Sequence, residues 1–167
     1  GPSLIADRFD SANSAYDFDG QNDYIALNMF YGPGGVSETI DELTVSLWIN
    51  TLSVSNSRMG SKIISFDASE NWSLLVGIVG ELAFSTTNTG GSNSVIVSED
   101  AYNDGVWHHI AVTYDLANSM KKLFVDGVLV GQIKATCLGD PSHTRGDAVF
   151  SGEAAAFLQV VAPLVAQ

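Results

Sequence analysis

Residues 105–132, GVWHHIAVTYDLANSMKKLFVDGVLVGQ, hold two adjacent histidines, a tryptophan, aspartates and a lysine pair. These are the ingredients of an active site, but their spacing is that of a sheet. Side chains on a strand alternate between its two faces. Trp107, His109, Ala111 and Thr113 therefore share one face, and Val106, His108, Ile110, Val112 and Tyr114 share the other. The pleat sets the two imidazoles apart, so the pair cannot chelate one ion. The expectation is that one histidine hydrogen-bonds inside a sandwich while the other sits at its surface. LANSMKK (116–122) then connects two strands, and Asp126-Gly127 supplies the positive-φ turn of a second hairpin. The stretch reads as frame.

Working outward, the same punctuation recurs. SAYDFDG (14–20) alternates and stops at Asp19-Gly20, and DYIALN (23–28) follows after a turn. LTVSLWINT (43–51) puts Leu43, Val45, Leu47 and Ile49 on one face. KIISFD, WSLLVGIVG, ELAFSTT and SVIVSE come next, with a hairpin turn at Gly80-Glu81. About ten strands without crossover helices predict an all-β, two-sheet antiparallel sandwich or jelly roll. Two longer loops, residues 28–42 and 136–153, are of the length that usually carries function.

Composition narrows the function. The chain has 167 residues, 46% apolar and 16% charged, which suits one globular domain spanning 1–167. Nineteen acidic residues against seven basic ones give a net charge of −12, which repels phosphate backbones and argues against nucleic acid. Cys137 is the only cysteine, so no intrachain disulfide forms. No leader opens the sequence, and the apolar run at 154–165 contains Pro163 and is too short to span a bilayer.

The 105–131 pattern, W-x-H-[VI]-A-x-x-[YF]-[DN] followed by L-[YF]-[VI]-D-G, resembles laminin G-like jelly-roll domains of the concanavalin A-like lectin and glucanase superfamily. DRFDSANSAYDFDGQNDYIAL (7–27) is similar to the opening of the bacterial form, and LTVSLWINT matches its F-T-[IV]-S-x-W-[IV] strand. The resemblance runs from Asp7 to about Lys134. It implies a concanavalin A-like sandwich from a larger secreted or surface protein, with Trp48 and Trp107 at core positions. Two departures stand out. The family's usual first strand, upstream of the D-R-F segment, is missing, and the C-terminal segment 137–167 is atypical. There FSGEAAAF keeps Phe150 and Gly152 but has Ala155 and Ala156 where the family has an acidic pair.

Candidates for chemistry follow. Retaining glycoside hydrolysis needs two carboxylates about 5 Å apart. Glu38, Asp41 and Glu42 do not form the E-x-D-x-x-E string of the superfamily's glucanases and lie in a glycine-rich loop region, and Glu81 stands alone, so a glucanase-like hydrolase is disfavoured and no enzyme is expected. No G-x-S-x-G elbow is present, and Cys137 with His143 makes no recognisable pair. Calcium wants several oxygen ligands on a loop. Asp19 and Asp23 in DFDGQND are the candidates, and the resemblance places a rim calcium in this region. Sugar binding needs an aromatic platform beside polar partners. Tyr31, Trp72 and Tyr102, with Phe30, lie near strand ends or in loops and are the platform candidates. The sequon at Asn71 and the RGD at 145–147 carry little weight. The reading is thus a non-catalytic module that binds a glycan or extracellular macromolecule. The alternative is an assembly module pairing through sheet edges, since an open edge would permit homo-oligomers.

Overall fold

The computed structural model describes residues 1–27, 42–54, 60–66, 72–87, 93–134, 148–150 and 155–157. Among them the backbone forms strands and turns only, and no helix is long and apolar enough to cross a membrane. The strands are β1 (Ser3–Ile5), β2 (Ala15–Asp17), β3 (Ile25–Leu27), β4 (Glu42–Asn50), β5 (Ser61–Phe66), β6 (Trp72–Val76) and β7 (Glu81–Thr87). They continue with β8 (Asn93–Ala101), β9 (His108–Asp115), β10 (Met120–Val125), β11 (Val128–Lys134), β12 (Ala148–Phe150) and β13 (Ala155–Phe157). All pairings are antiparallel. One sheet has the order β1-β2-β13-β4-β9-β10-β11 and the other β3-β12-β5-β6-β7-β8.

Period-two patterning explains why the sheets stack. On β4, Leu43, Val45, Leu47 and Ile49 are all buried, as the alternation requires. In register with them lie Tyr114, Val112 and Ile110 of β9, and then Lys121, Leu123 and Val125 of β10. They meet Trp72, Leu74, Val76, Leu82, Phe84 and Ile96 of the opposite sheet in one cluster. Burying side chains of this size contributes about 1.5–3 kcal/mol each before chain entropy is counted.

The turns are chemically specified. Asp126 and Gly127 sit at φ +51° and +80°, the double positive φ of a tight hairpin between β10 and β11. Gly80, at φ +92°, closes the β6–β7 hairpin. Where the β7–β8 register shifts between Glu81 and Ala83, the Leu82 amide donates instead to Ser98 Oγ at 2.9 Å. Ser98 Oγ in turn donates to the Asp100 carbonyl at 2.7 Å, so the irregularity leaves no amide stranded.

Two features of the sequence reading change. Two strands are additions, β1 and β12, each of three residues and too short for periodicity to reveal; β1 lies just upstream of Asp7-Arg8-Phe9, where the sequence reading expects no strand. Despite the alanines, β13 pairs between β2 and β4, with Ala155 opposite Asp17 and Asn50. The second change concerns Trp48 and Trp107, which are half-buried rather than core residues. Trp48 is on the outward parity of β4, opposite to Leu47 and Ile49, and the Arg8 guanidinium covers its ring at 4.1 Å.

Candidate functional site

The imidazoles part as the pleat dictates. His109 turns to the outer face of the first sheet, where its Nε2 lies 2.7 Å from Ser46 Oγ and its ring 5.1 Å from that of Trp48. His108 lies at the rim between two acids, with Nδ1 2.7 Å from Asp126 Oδ2 and Nε2 3.2 Å from Asp104 Oδ1. When protonated, His108 donates from both ring nitrogens to these two carboxylates. Burial opposes that charge, but the bonds to Asp126 and Asp104 outweigh it and raise His108 above the ordinary imidazole range. Asp126 Oδ1 also accepts the His109 amide at 2.8 Å, and the Asp126 amide donates to the His109 carbonyl at the same distance. The aspartate of the hairpin turn thus ties that turn to the first residues of β9. This is why the two halves of the 105–132 pattern belong together, and the cluster is frame.

Because the folded pKa of His108 is raised, its contribution is complete below about 6.5 and is lost as pH rises through the folded value. Asp126→Asn should lower the His108 pKa and flatten the stability profile there. Asp104→Asn, which removes the longer bond, should do so less. NMR titration of the imidazole protons reads both, and an unmoved His108 in Asp126→Asn would refute the assignment.

The Asp19–Asp23 turn is a local lattice. Asp19 Oδ1 accepts the amides of Gln21 and Asn22 at 2.8 and 3.2 Å, and the Asp19 amide donates to Asp23 Oδ2 at 3.1 Å. The Gln21 amide, ahead of that of Asn22, holds the Asp19 carboxyl below its usual range. The two carboxylates do come together, but Asp19 Oδ1 and Asp23 Oδ2 already accept backbone amides. No third histidine, cysteine or acid joins them among the described residues. Calcium takes six to eight oxygens, so an ion here would have to draw on backbone carbonyls and water.

The aromatic candidates do not form a platform. Trp72 is 1% exposed and belongs to the core, because its position on β6 has the inward parity of Leu74 and Val76. That corrects its reading as a surface ring. Tyr102 is half-buried against the core and meets His108 edge-on at 5.2 Å, so it acts as a pillar of the rim. Burial, ahead of the charges of Asp100 and Asp126, raises its phenol above the usual range. Tyr31 and Phe30 lie outside the described residues, as do Asn71, Cys137, His143 and the RGD.

What the strands assemble instead is a groove of about 500 Å³ on the outer face of the first sheet. Its floor is a cross-strand row, Thr44–Thr113–Lys122–Gln132, one residue from each of β4, β9, β10 and β11. A second row, Glu42–Asp115–Met120, closes one end. Asp115 is fixed by Asn118, whose Nδ2 and amide donate to it at 2.6 and 2.9 Å. The Asn118 side chain, then its amide, hold the Asp115 carboxyl below the usual range. None of the four side chains of the first row makes a hydrogen bond among the described residues. Hydroxyls, an amide, an ammonium and two carboxylates therefore converge on a shallow, partly apolar space. Sequence reasoning missed these residues because each is merely the polar half of an alternation; only the register makes them a row.

The family model for a laminin G-like domain of the concanavalin A-like lectin/glucanases superfamily matches residues 19–159. The chain belongs to this superfamily. No curated protein matches it. Among solved structures it is similar to the binding domain of Paraclostridial mosquitocidal protein 1, at TM-score 0.64 and 12% identity. That alignment covers 97% of this chain but 43% of the toxin domain. The botulinum neurotoxin serotype D binding domain matches at TM-score 0.61 and 14% identity, over 97% of this chain and 42% of its own. The carbohydrate-binding module (CBM40) of Ruminococcus gnavus IT-sialidase, bound to α2,3-sialyllactose, matches at 0.56 and 15% identity, over 90% of this chain and 92% of its own. The superfamily's sandwich is thus shared with domains whose work is binding. At these identities the likeness is one of fold.

Proposed function

We propose that this superfamily member is a non-catalytic recognition module of a larger secreted or surface-attached protein, and that its ligand is a glycan, free or carried on an extracellular macromolecule. The observation that carries the reading is the Thr44–Thr113–Lys122–Gln132 row, whose side chains make no hydrogen bond among the described residues and face a groove the size of a small-ligand site. The company of carbohydrate- and receptor-binding folds supports it. Three of the described acids serve the frame: Asp104 and Asp126 share one imidazole, and Glu81 Oε2 accepts the Val79 amide at 2.9 Å.

A glycan array tests this, run with the parent, Lys122→Ala and Gln132→Ala. Losing one hydrogen bond from a charged donor costs about 1.5–3 kcal/mol, so Lys122→Ala should weaken binding roughly tenfold or more. Equal signals from parent and Lys122→Ala would sink the assignment of the groove. Calcium at Asp19 and Asp23 belongs to the same proposal. Extracellular modules bind calcium at about 10⁻⁴–10⁻³ M, so the array is repeated in millimolar calcium and in chelator. A melting temperature that calcium leaves unmoved would remove the ion.

Assembly through sheet edges is the second reading. It is favoured by β8 and β11, edge strands that expose Val95, Val97, Val128 and Leu129. Solution mass separates the two readings.

A further inference from the structure

We infer that the binding face extends beyond the groove to a second, aromatic subsite built by Phe9 and Arg8 on Trp48, and that the ligand is therefore an oligosaccharide rather than a mono- or disaccharide. The inference rests on the glycan reading above and deepens it. Trp48 has the same strand parity as Thr44, so both belong to the outer face of the first sheet, four residues apart on β4. That is about 14 Å along the strand. Between them lie Ser46 and, in register, Ala111 and the half-buried Phe124. Ser46 and Ala111 are small and keep the middle of this strip low, and the Ser46–His109 hydrogen bond lies across it.

At its far end the Arg8 guanidinium is sandwiched between two rings, 4.1 Å from the centroid of Phe9 and 4.1 Å from that of Trp48. Phe9 is 70% exposed, so the face of its ring away from Arg8 meets solvent. A side chain of this size left in water loses apolar burial, which makes an exposed, fixed aromatic ring informative where a scattered one is not. This ring is fixed. The Asp7 carboxylate accepts the amides of Phe9 and Ser11 at 2.8 and 3.0 Å, the Asp7 amide donates to the Ser11 carbonyl, and Asp10 takes φ +60° to close the loop. The guanidinium lies within cation–π distance of both rings and so ties Phe9 to the Trp48 side of the sheet. Sugar rings carry apolar C–H faces and polar rims. A chain lying along the strip would place hydroxyls in the groove, among Thr44, Lys122 and Gln132, and stack a distal ring on Phe9.

The probes are oligosaccharides of increasing length, from disaccharides to hexasaccharides of glucose, N-acetylglucosamine, galactose and mannose, with sialyllactose. They are titrated against the parent, Phe9→Ala and Lys122→Ala. The parent should bind the longer members more tightly. Phe9→Ala should weaken these about tenfold and leave the disaccharides unchanged, removing the dependence on length. Lys122→Ala should weaken every length. Phe9 is exposed, and a circular dichroism melt confirms that its variant folds. If disaccharides bind and Phe9→Ala matches the parent at every length, the second subsite is refuted and the groove stands. If no saccharide of any length binds, the glycan reading falls and this inference falls with it.

Discussion

A Lys121→Met variant should melt above the parent at pH 7 and should lose a gain in stability that the parent shows between pH 8 and 10. Lys121 occupies an inward position of β10, between Tyr114 and Ile133 in register, and is fully buried. Its Nζ reaches across to the other sheet, to Thr86 Oγ1 at 3.0 Å, the Phe84 carbonyl at 3.4 Å and the Ser94 carbonyl. The Phe84 ring centroid lies 5.2 Å away. None of these partners is a carboxylate, so the ammonium is solvated by dipoles alone. Burial pushes its pKa from 10.5 down to about 8. A displacement of that size corresponds to about 3 kcal/mol of destabilisation of the charged form.

The direction with pH follows. Below pH 8 both the folded and unfolded chains hold the proton and no slope arises. Between 8 and 10.5 the folded chain has released it while the unfolded chain keeps it, so stability rises with pH across that window. Tyr102, whose phenol is raised, opposes the trend above 10, which sets the useful upper limit. Methionine fills the space of the lysine stem without a charge, and loss of the uncompensated ammonium should outweigh loss of its hydrogen bonds to two carbonyls and one hydroxyl, for a net gain of about 2 kcal/mol. For a chain of this length a gain of about 2 kcal/mol raises the melting temperature by roughly 6 °C. Thermal melts of both proteins from pH 6 to 10 decide the matter. A less stable variant whose pH profile runs parallel to the parent's would show that the dipoles fully compensate the charge.

Lys121 also shows what the sequence could convey. Alternation in the lysine-containing stretch assigns Leu123 and Val125 inward, and by the same parity Lys121, but nothing in KKLFV says that the core will accept an ammonium there. The acceptors come from β7 and β8, more than twenty residues away in sequence. The fold was legible because two-residue periodicity and the turns at Gly80 and Asp126-Gly127 are local. The groove was not, because Thr44, Thr113, Lys122 and Gln132 become neighbours only through pairing between strands. Trp72 and Trp48 show the same limit from the other side. A place near a strand end made Trp72 a surface candidate and family position made Trp48 a core residue, whereas strand parity buries the first and turns the second outward.

The second large effect is expected at Gly131, where β11 and β8 draw together at one side of the sandwich. A Cβ at this position would stand 2.3 Å from Ile96 Cγ2, far inside contact distance. The approach is built by the bulge in the β10–β11 pairing, where Leu123 faces Gly131 but Phe124 faces Leu129, leaving Val130 as the extra residue. The bulge bends the edge strand toward Ile96, itself 3% exposed and fixed among core residues. Gly131→Val must therefore displace a branched side chain that is already buried in the core. Overpacking of this kind costs about 1–3 kcal/mol, and a β-branched side chain belongs at the upper end. Chemical denaturation of Gly131→Val should show a loss of about 3 kcal/mol. Ile96→Ala alone should also destabilise, by about 2–5 kcal/mol, through the cavity it leaves. In the double variant the valine should occupy part of that cavity, so the combined loss should be smaller than the sum of the two. Strict additivity would mean that the two residues do not meet, and the close approach of the two edge strands would then be wrong.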